Sequence, residues 1–424
     1  MRTSRLLASV AFGLFFVHSA AASAMEPPQA EEDSIGTTPA RNPQAAPAAS
    51  VATGALEASD ERMEVDMDPS RERRSYRRGE APIAKDPPPD WAVLHAGLRP
   101  ELGTFGGIAT LALAHARTER FYGVFSLSAV RNDAGTHVGA AQLALGRNLS
   151  DEFIGGMQVS LTENRARTFS GIGQTGLAYN RAGDMTGVFQ LAAFNRATSF
   201  TGATQLGLYN RTDKAFTGIA EIGTFNHART DFTGALQIGV VNGVGREMFS
   251  ESSSNEARFG GIAQVGVVNA ANNFYGVAQI GAASFVGGKF GGLVQIGALG
   301  AAANEFKGLA QIGVASVSEK SIGLQIGAGA VSLEQHDGLQ IGALGNYAQN
   351  IRGAQLGIVN VAREVKGVQV GVFNHTRRLR GLQIGLANHA EDGVLPWTAI
   401  LNFGFGDEDD ASNGEDEEYR SARR

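Results

Sequence analysis

Residues 232–242 read FTGALQIGVVN, and residues 259–269 read FGGIAQVGVVN. The shared pattern is F-x-G-x-x-Q-x-G-x-x-N. Working outward in both directions, its first glycine recurs at Gly107, Gly123, Gly139, Gly155, Gly171, Gly187, Gly202, Gly218, Gly234, Gly261, Gly276, Gly292, Gly308, Gly323, Gly338, Gly353, Gly367 and Gly381. Counting these anchors gives 18 units, spaced 14 to 16 residues apart with one step of 27 between Gly234 and Gly261. A fixed period means stacked or paired copies of one small element, none of which can bury its own apolar surface.

Within the unit the residues alternate with period 2, which is the signature of a strand. The alternation places Phe232, Gly234, Leu236, Ile238 and Val240 on one face, and Thr233, Ala235, Gln237, Gly239 and Val241 on the other. Charges gather between the apolar stretches, as in Arg211, Asp213 and Lys214, with Asn and Asp beside them, which suits turns. Each period therefore reads as one strand of about ten residues plus a short polar turn. The structural positions singled out are Gly308, Gln311, Gly313, Gly338, Gln340, Gly342, Gly381, Gln383, Gly385 and Asn388. The glutamine column could bind a sugar; the plainer expectation is a ladder of uncharged side chains bonded to their neighbours.

Composition sets limits on function. The chain has 424 residues, 56 of them glycine, 18% charged residues, and a net charge of -6. Nothing in this balance argues for a nucleic-acid partner. Cysteine is absent, so disulfides, thiolate metal sites and lipidated cysteine are excluded.

Residues 1–24 read as a signal peptide: Arg2 and Arg5, an apolar run from Leu6 to Val17, then Ala22-Ser23-Ala24. Residues 25–88 are rich in Pro, Ala and charge and read as a disordered linker. The β-repeat domain spans 89–406, and 407–424 form an acidic disordered tail.

No catalytic, cofactor or metal site is expected. Gly171-Ile172-Gly173-Gln174-Thr175-Gly176 matches G-x-G-x-x-G. It is part of the repeat and more strand follows it, where a pyrophosphate cradle needs a helix. His227, His375 and His389 each follow a repeat asparagine and read as scattered turn residues. No small-molecule substrate is indicated, and the chain reads as a non-enzyme.

Two all-β architectures fit the repeat. The favoured one is an up-and-down transmembrane β-barrel of about 18–19 strands. Its support is the export signal, the near charge-free bands of about ten residues, and aromatic pairs such as Phe169 with Tyr179, Phe200 with Tyr209 and Phe216 with Phe225. The segment Trp397 to Phe405 also alternates strictly and resembles the closing strand of outer-membrane barrels. The alternative is a β-solenoid with one coil per unit. Near-identical successive units favour it; apolar residues such as Leu293 and Leu299, which would face outward, count against it. Parallel pairing of consecutive units would mark the solenoid, antiparallel pairing the barrel.

The G-L-Q-I-G and Q-I-G-x-x-N units, with Leu395-Pro396 and Asn402-Phe403 at the end, resemble a bacterial surface-repeat family known from leptospiral surface proteins. The string Q-x-G-x-x-N-x-A at Gln355 to Ala362 and Gln383 to Ala390 is also weakly similar to the curlin repeat. The surface-repeat resemblance implies an exported, surface-associated protein and specifies no activity. The expectation is thus a non-enzymatic envelope protein of a Gram-negative-type bacterium. In the barrel form it would have a structural or pore role; in the solenoid form it would serve adhesion or matrix contact. Its partner would be outer-membrane lipid or an envelope polymer.

Overall fold

The structure, a computed structural model, describes residues 90–245 and 256–405. The signal peptide, linker and acidic tail read from the sequence lie outside the described residues.

Consecutive units pair in parallel. Gln190 lies beside Gln174 on one side and Gln205 on the other, Asn195 beside Asn180 and Asn210, and Phe216 beside Phe200 and Phe232. Each unit is one coil, and the coils stack in register into a β-solenoid. The barrel expectation is thereby corrected: a meander would pair successive units antiparallel. The register also continues across the long step, with Phe232 against Phe259, Gln237 against Gln264 and Asn242 against Asn269. The 27-residue step is therefore one ordinary coil carrying an insertion, and residues 246–255 fall within that insertion.

One coil shows how a strand-like sequence closes on itself. In the coil from Asp231 to Val244, three short strand segments, Asp231–Thr233, Leu236–Ile238 and Val241–Val244, are separated by bends at 234–235 and 239–240. The segments form three walls, named here for their inward residue: a Phe wall, a Gln wall and an Asn wall. Phe232, Gln237, Asn242 and Val244 all point inward. This corrects the two-face reading, which set Phe232 and Gln237 on opposite sides. Their odd spacing would separate them in an unbroken strand, but the bend at Gly234 resets the phase. Leu236, Ile238 and Val240 accordingly face outward or lie half-buried.

The apolar core is a column of phenylalanines. Phe200, Phe216, Phe232, Phe259, Phe274, Phe290 and Phe306 are buried, and neighbouring rings stack with centroids 4.8 to 5.0 Å apart. That distance is the spacing of hydrogen-bonded strands, ~4.8 Å, so parallel stacking itself sets the ring separation. The expected aromatic girdles dissolve accordingly: Phe169, Phe200 and Phe216 belong to this core, while Tyr179 and Phe225 are exposed and Tyr209 is half-buried outside it.

Trp397–Phe405 ends the stack as an antiparallel strand across the last coil, pairing Gln383 with Asn402 and Arg380 with Phe405. The expected strict alternation holds from Leu401 to Phe405, where Leu401, Phe403 and Phe405 are exposed and Asn402 is buried, but it breaks at Ile400, which is exposed and takes a positive φ of 74°. The strand terminates a solenoid and closes no barrel.

Candidate functional site

The sequence-selected residues assemble into ladders along the solenoid axis. Gln311 Nε2 donates to Gln295 Oε1 at 2.9 Å, Gln340 to Gln325 at 2.7 Å and Gln383 to Gln369 at 2.8 Å. These glutamines are fully buried, so the column offers no face to a sugar and is the structural ladder. The asparagine ladder runs with opposite polarity, each amide donating to the following coil: Asn374 Nδ2 to Asn388 Oδ1 at 2.7 Å, and Asn226 to Asn242 at 2.9 Å. Its two starting acceptors, Asn148 Oδ1 and Asn346 Oδ1, have no partner, as a directional chain requires at its first member.

The glycines make room for this packing. A side chain at Gly308 would place its Cβ 2.8 Å from the Gly292 carbonyl oxygen and 2.8 Å from Phe306 Cζ. The second glycine of the unit serves the asparagines: at Gly385 a Cβ would lie 2.6 Å from Asn374 Nδ2, and at Gly313 it would lie 2.5 Å from the Gly297 carbonyl oxygen. At Gly342 the obstruction is the Gly345 carbonyl. Gly338 and Gly381 have positive φ of 139° and 144°.

Three ionisable groups are built into these columns. His336 takes the Phe place of a short coil, its Nδ1 2.7 Å from Ser321 Oγ and its pKa lowered by burial to about 4; the other two lie in long coils. Glu221 occupies a glutamine place, fully buried, and accepts from Gln237 Nε2 at 2.8 Å through Oε2, while its Oε1 has no partner. Burial pushes its carboxyl up to about 8, against the opposing pull of the Gln237 amide. At neutral pH it is held as the neutral acid, so the glutamine column carries no charge at this place. His137 occupies a phenylalanine place, stacked between Phe121 and Phe153 with centroids 4.5 and 5.0 Å away. Neither ring nitrogen has a partner, and burial lowers its pKa to about 3. All three groups are sealed in the core and face no substrate.

The outer surface of the Asn wall is where chemistry is displayed. Arg165, Arg181, Arg196 and Arg211 lie in register on successive coils, with His227 next. Two residues before each, on the same face, runs a row of Glu163, Tyr179, Phe194, Tyr209 and Phe225. Tyr179 and Phe194 stack at 4.9 Å, and the Arg181 guanidinium sits 5.5 Å over the Tyr179 ring. Asp213 accepts from both Arg196 and Arg211 at 2.9 Å, and Glu163 lies 3.7 Å from Arg181. Sequence reasoning took such arginines for turn charges. The signal lay in the string Asn-Arg-Ala at 164–166, 180–182 and 195–197, which repeats an arginine at one fixed phase.

The histidine expectation also changes. His375 and His389 stand on strands one coil apart, stacked at 4.9 Å with Nδ1 atoms 2.7 Å apart, and His389 stacks on Trp397 at 4.3 Å. One nitrogen donates and the other accepts, so the close pair holds a single shared proton. Burial, then the neighbouring His389, lowers the pKa of His375. Tyr347, Val361, Arg363, His375 and Arg377 line a shallow hollow of about 270 Å³ on this wall. Among the described residues no three His, Asp or Glu side chains converge on a metal-sized site.

No protein-family model matches the chain, and neither a curated protein nor a solved structure is similar enough to match it.

Proposed function

We propose that the protein is an exported, non-enzymatic β-solenoid, secreted or attached at the cell surface, that contacts an envelope or matrix polymer in adhesion. The observation that supports this reading is the Asn wall between residues 163 and 228, where arginines and aromatic rings recur at the pitch of the coils. A row of this kind suits an extended repeating ligand better than a single small molecule, because each coil presents the same contact again. Over residues 163–232 the charges are Arg165, Arg167, Arg181, Arg196, Arg211, Lys214 and Arg229 against Glu163, Asp184, Asp213 and Asp231, leaving aside the neutral Glu221. Seven less four gives +3 on a chain whose net charge is -6, so the favoured polymer is anionic.

Co-sedimentation with isolated, insoluble bacterial wall polymer tests the reading. The purified chain is expected to pellet at low ionic strength and to be released by salt, since exposed charge contacts are screened over ~10 Å at 0.1 M. The Arg181→Glu, Arg196→Glu double variant is expected to stay in the supernatant while keeping its β-sheet circular dichroism. Failure of the parent chain to pellet at low salt would contradict the proposal.

A further inference from the structure

The Gln wall is unlike the other two. From each anchor glycine to the residue two before the asparagine place, Glu221 is the sole charged residue in all eighteen coils, and it points inward. The outward positions are instead aliphatic. Along the two bends flanking the wall stand Ile219, Leu309, Leu177, Leu208, Leu299 and Leu386, each at least 60% exposed. Between them the residue after each glutamine forms a third row, including Leu206, Ile222, Ile238 and Ile384, at 37 to 42% exposure.

This is an apolar strip running the length of the solenoid. Eighteen coils at ~4.8 Å give a length of about 85 Å, and the five residues across it give a width of about 15 Å. The strip therefore measures roughly 1,250 Å² on one molecule, when contiguous exposed apolar patches on monomers rarely exceed a few hundred Å². Pairing two such strips would bury about 2,500 Å², above the ~1,200–2,000 Å² of a standard stable interface.

We infer that the Gln wall is a dimerisation face, covered by the Gln wall of a second copy of this chain. Three features select that occupant. A charge-free face has no polar code by which to recognise a foreign protein, whereas a second copy matches its length and coil pitch by construction. The same patch on both molecules gives a closed two-fold interface, with two flat sheets packed face to face. A bilayer surface is disfavoured by the rims, because interfacial elements carry basic residues and tryptophan beside their apolar face. On the Phe-wall side the rim is instead Ser170, Thr186, Thr201, Thr217 and Thr233 over five successive coils, and basic residues enter that row only toward one end, at Lys307, Arg352, Lys366 and Arg380. On the other side Arg196 and Arg211 are paired with Asp213.

Sedimentation velocity of the purified full chain across a concentration series tests this. The parent chain is expected to be a dimer at micromolar concentration. The Ile222→Lys, Ile238→Lys variant is expected to be monomeric, and the Thr217→Lys, Thr233→Lys variant, altered on the Phe wall of the same coils, to remain dimeric. Because the chain has no cysteine, Ile238→Cys, on the middle row of the ninth of eighteen coils and so close to a two-fold axis through the face, supplies a second readout that does not depend on the lysine variants folding: a short bis-maleimide should link it between two chains and should not link Thr217→Cys. A parent chain that is monomeric throughout, or that floats with phosphatidylcholine vesicles as a monomer, overturns the inference. So does a dimer that neither Ile238→Cys cross-linking captures nor the Gln-wall lysines disrupt. A monomer that still pellets with wall polymer would overturn this inference and leave the polymer reading standing.

Discussion

The thirteen coils anchored from Gly107 to Gly308 and the five anchored from Gly323 to Gly381 solve the same closure problem at two sizes. In the first group the glutamine place lies three positions after the anchor glycine, as Gln311 after Gly308; in the second it lies only two after, as Gln383 after Gly381. Removing one residue tightens the corner between the Phe and Gln walls. The anchors of the short coils all take positive φ, from 122° at Gly323 to 144° at Gly381. Among the long coils only the anchor Gly155 is recorded with positive φ, at 156°. The inward residue shrinks with the coil. Phenylalanine fills the Phe place in the long coils except at His137 and Met185, whereas Ser321, His336, Ile351, Val365 and Leu379 fill it in the short ones, all buried. Sterically, the corner glycine is needed for space in the wide coils, and for both space and backbone conformation in the narrow ones.

The largest expected difference between the regions is therefore at the glycines. Gly308→Val should cost ~1–3 kcal/mol through overpacking against the Gly292 carbonyl and Phe306. Gly381→Val meets the Gly367 carbonyl as well as a left-handed backbone, which adds ~1–3 kcal/mol of strain. Thermal unfolding should rank the two in that order, and equal losses would erase the proposed distinction. The glutamine ladder, by contrast, is common to both regions. Gln311→Leu and Gln369→Leu should each cost ~2–4 kcal/mol by orphaning a buried donor on one neighbour and an acceptor on the other. A large gap between them in denaturant titration would mean that the ladder carries weight in only one region.

Coil size gives a reciprocal test. Phe306→Ile should leave a void in a wide coil, and Ile351→Phe should overfill a narrow one, each at ~1–3 kcal/mol. If Ile351→Phe stabilised the protein, the narrow coils would not be full.

The titrating core residues Glu221 and His137 lie in long coils and His336 in a short one, so they sharpen the comparison through pH. Glu221 is raised from 4.5 to about 8. Its neutral form is the one that fits, so its contribution is complete below pH 4.5 and declines as pH rises toward 8. Glu221→Gln should be indifferent to this range and exceed the parent by ~3 kcal/mol near pH 7. His137 works from the other side: lowered from 6.5 to about 3, it fits only as the neutral ring, and stability falls as pH drops below 6.5. His137→Phe should remove that acid slope. Melting temperatures of parent and variants between pH 4 and 9 decide both, and a gap that does not change with pH would contradict them.

Much of this was legible in the sequence. Repeat length, strand character, the Gly, Gln and Asn columns, and the glutamine ladder follow from period and residue type. The way each unit closes on itself did not follow, because alternation reports which side a residue faces only until the chain bends. The missed clue was the odd spacing: five residues from Phe232 to Gln237 and five from Gln237 to Asn242. Three recurring columns at odd spacings can all point inward only with a bend between each pair. The charge-free band that suggested lipid contact is the Gln wall. Leu293 and Leu299, which seemed to speak against a solenoid, are indeed exposed at 55% and 70%. The feature was read correctly, and its explanation lies in what covers the wall. Arg165, Arg181, Arg196 and Arg211 were hidden among charges assigned to turns because strand ends and corners look alike until register is known.

The central claim is that successive units stack in parallel along one axis. It is tested most directly by distances between spin labels at the residue following the Phe place, introduced as single cysteine pairs into this cysteine-free chain. With one label at residue 186 and the other at 233, 307 or 380, the sites are three, seven and twelve coils apart. At ~4.8 Å per coil the separations should grow steadily to about 14, 34 and 58 Å. In a closed barrel of 18 strands no two sites at one level could lie farther apart than a diameter of about 35 Å. A distance that stopped growing between residues 307 and 380 would contradict the solenoid.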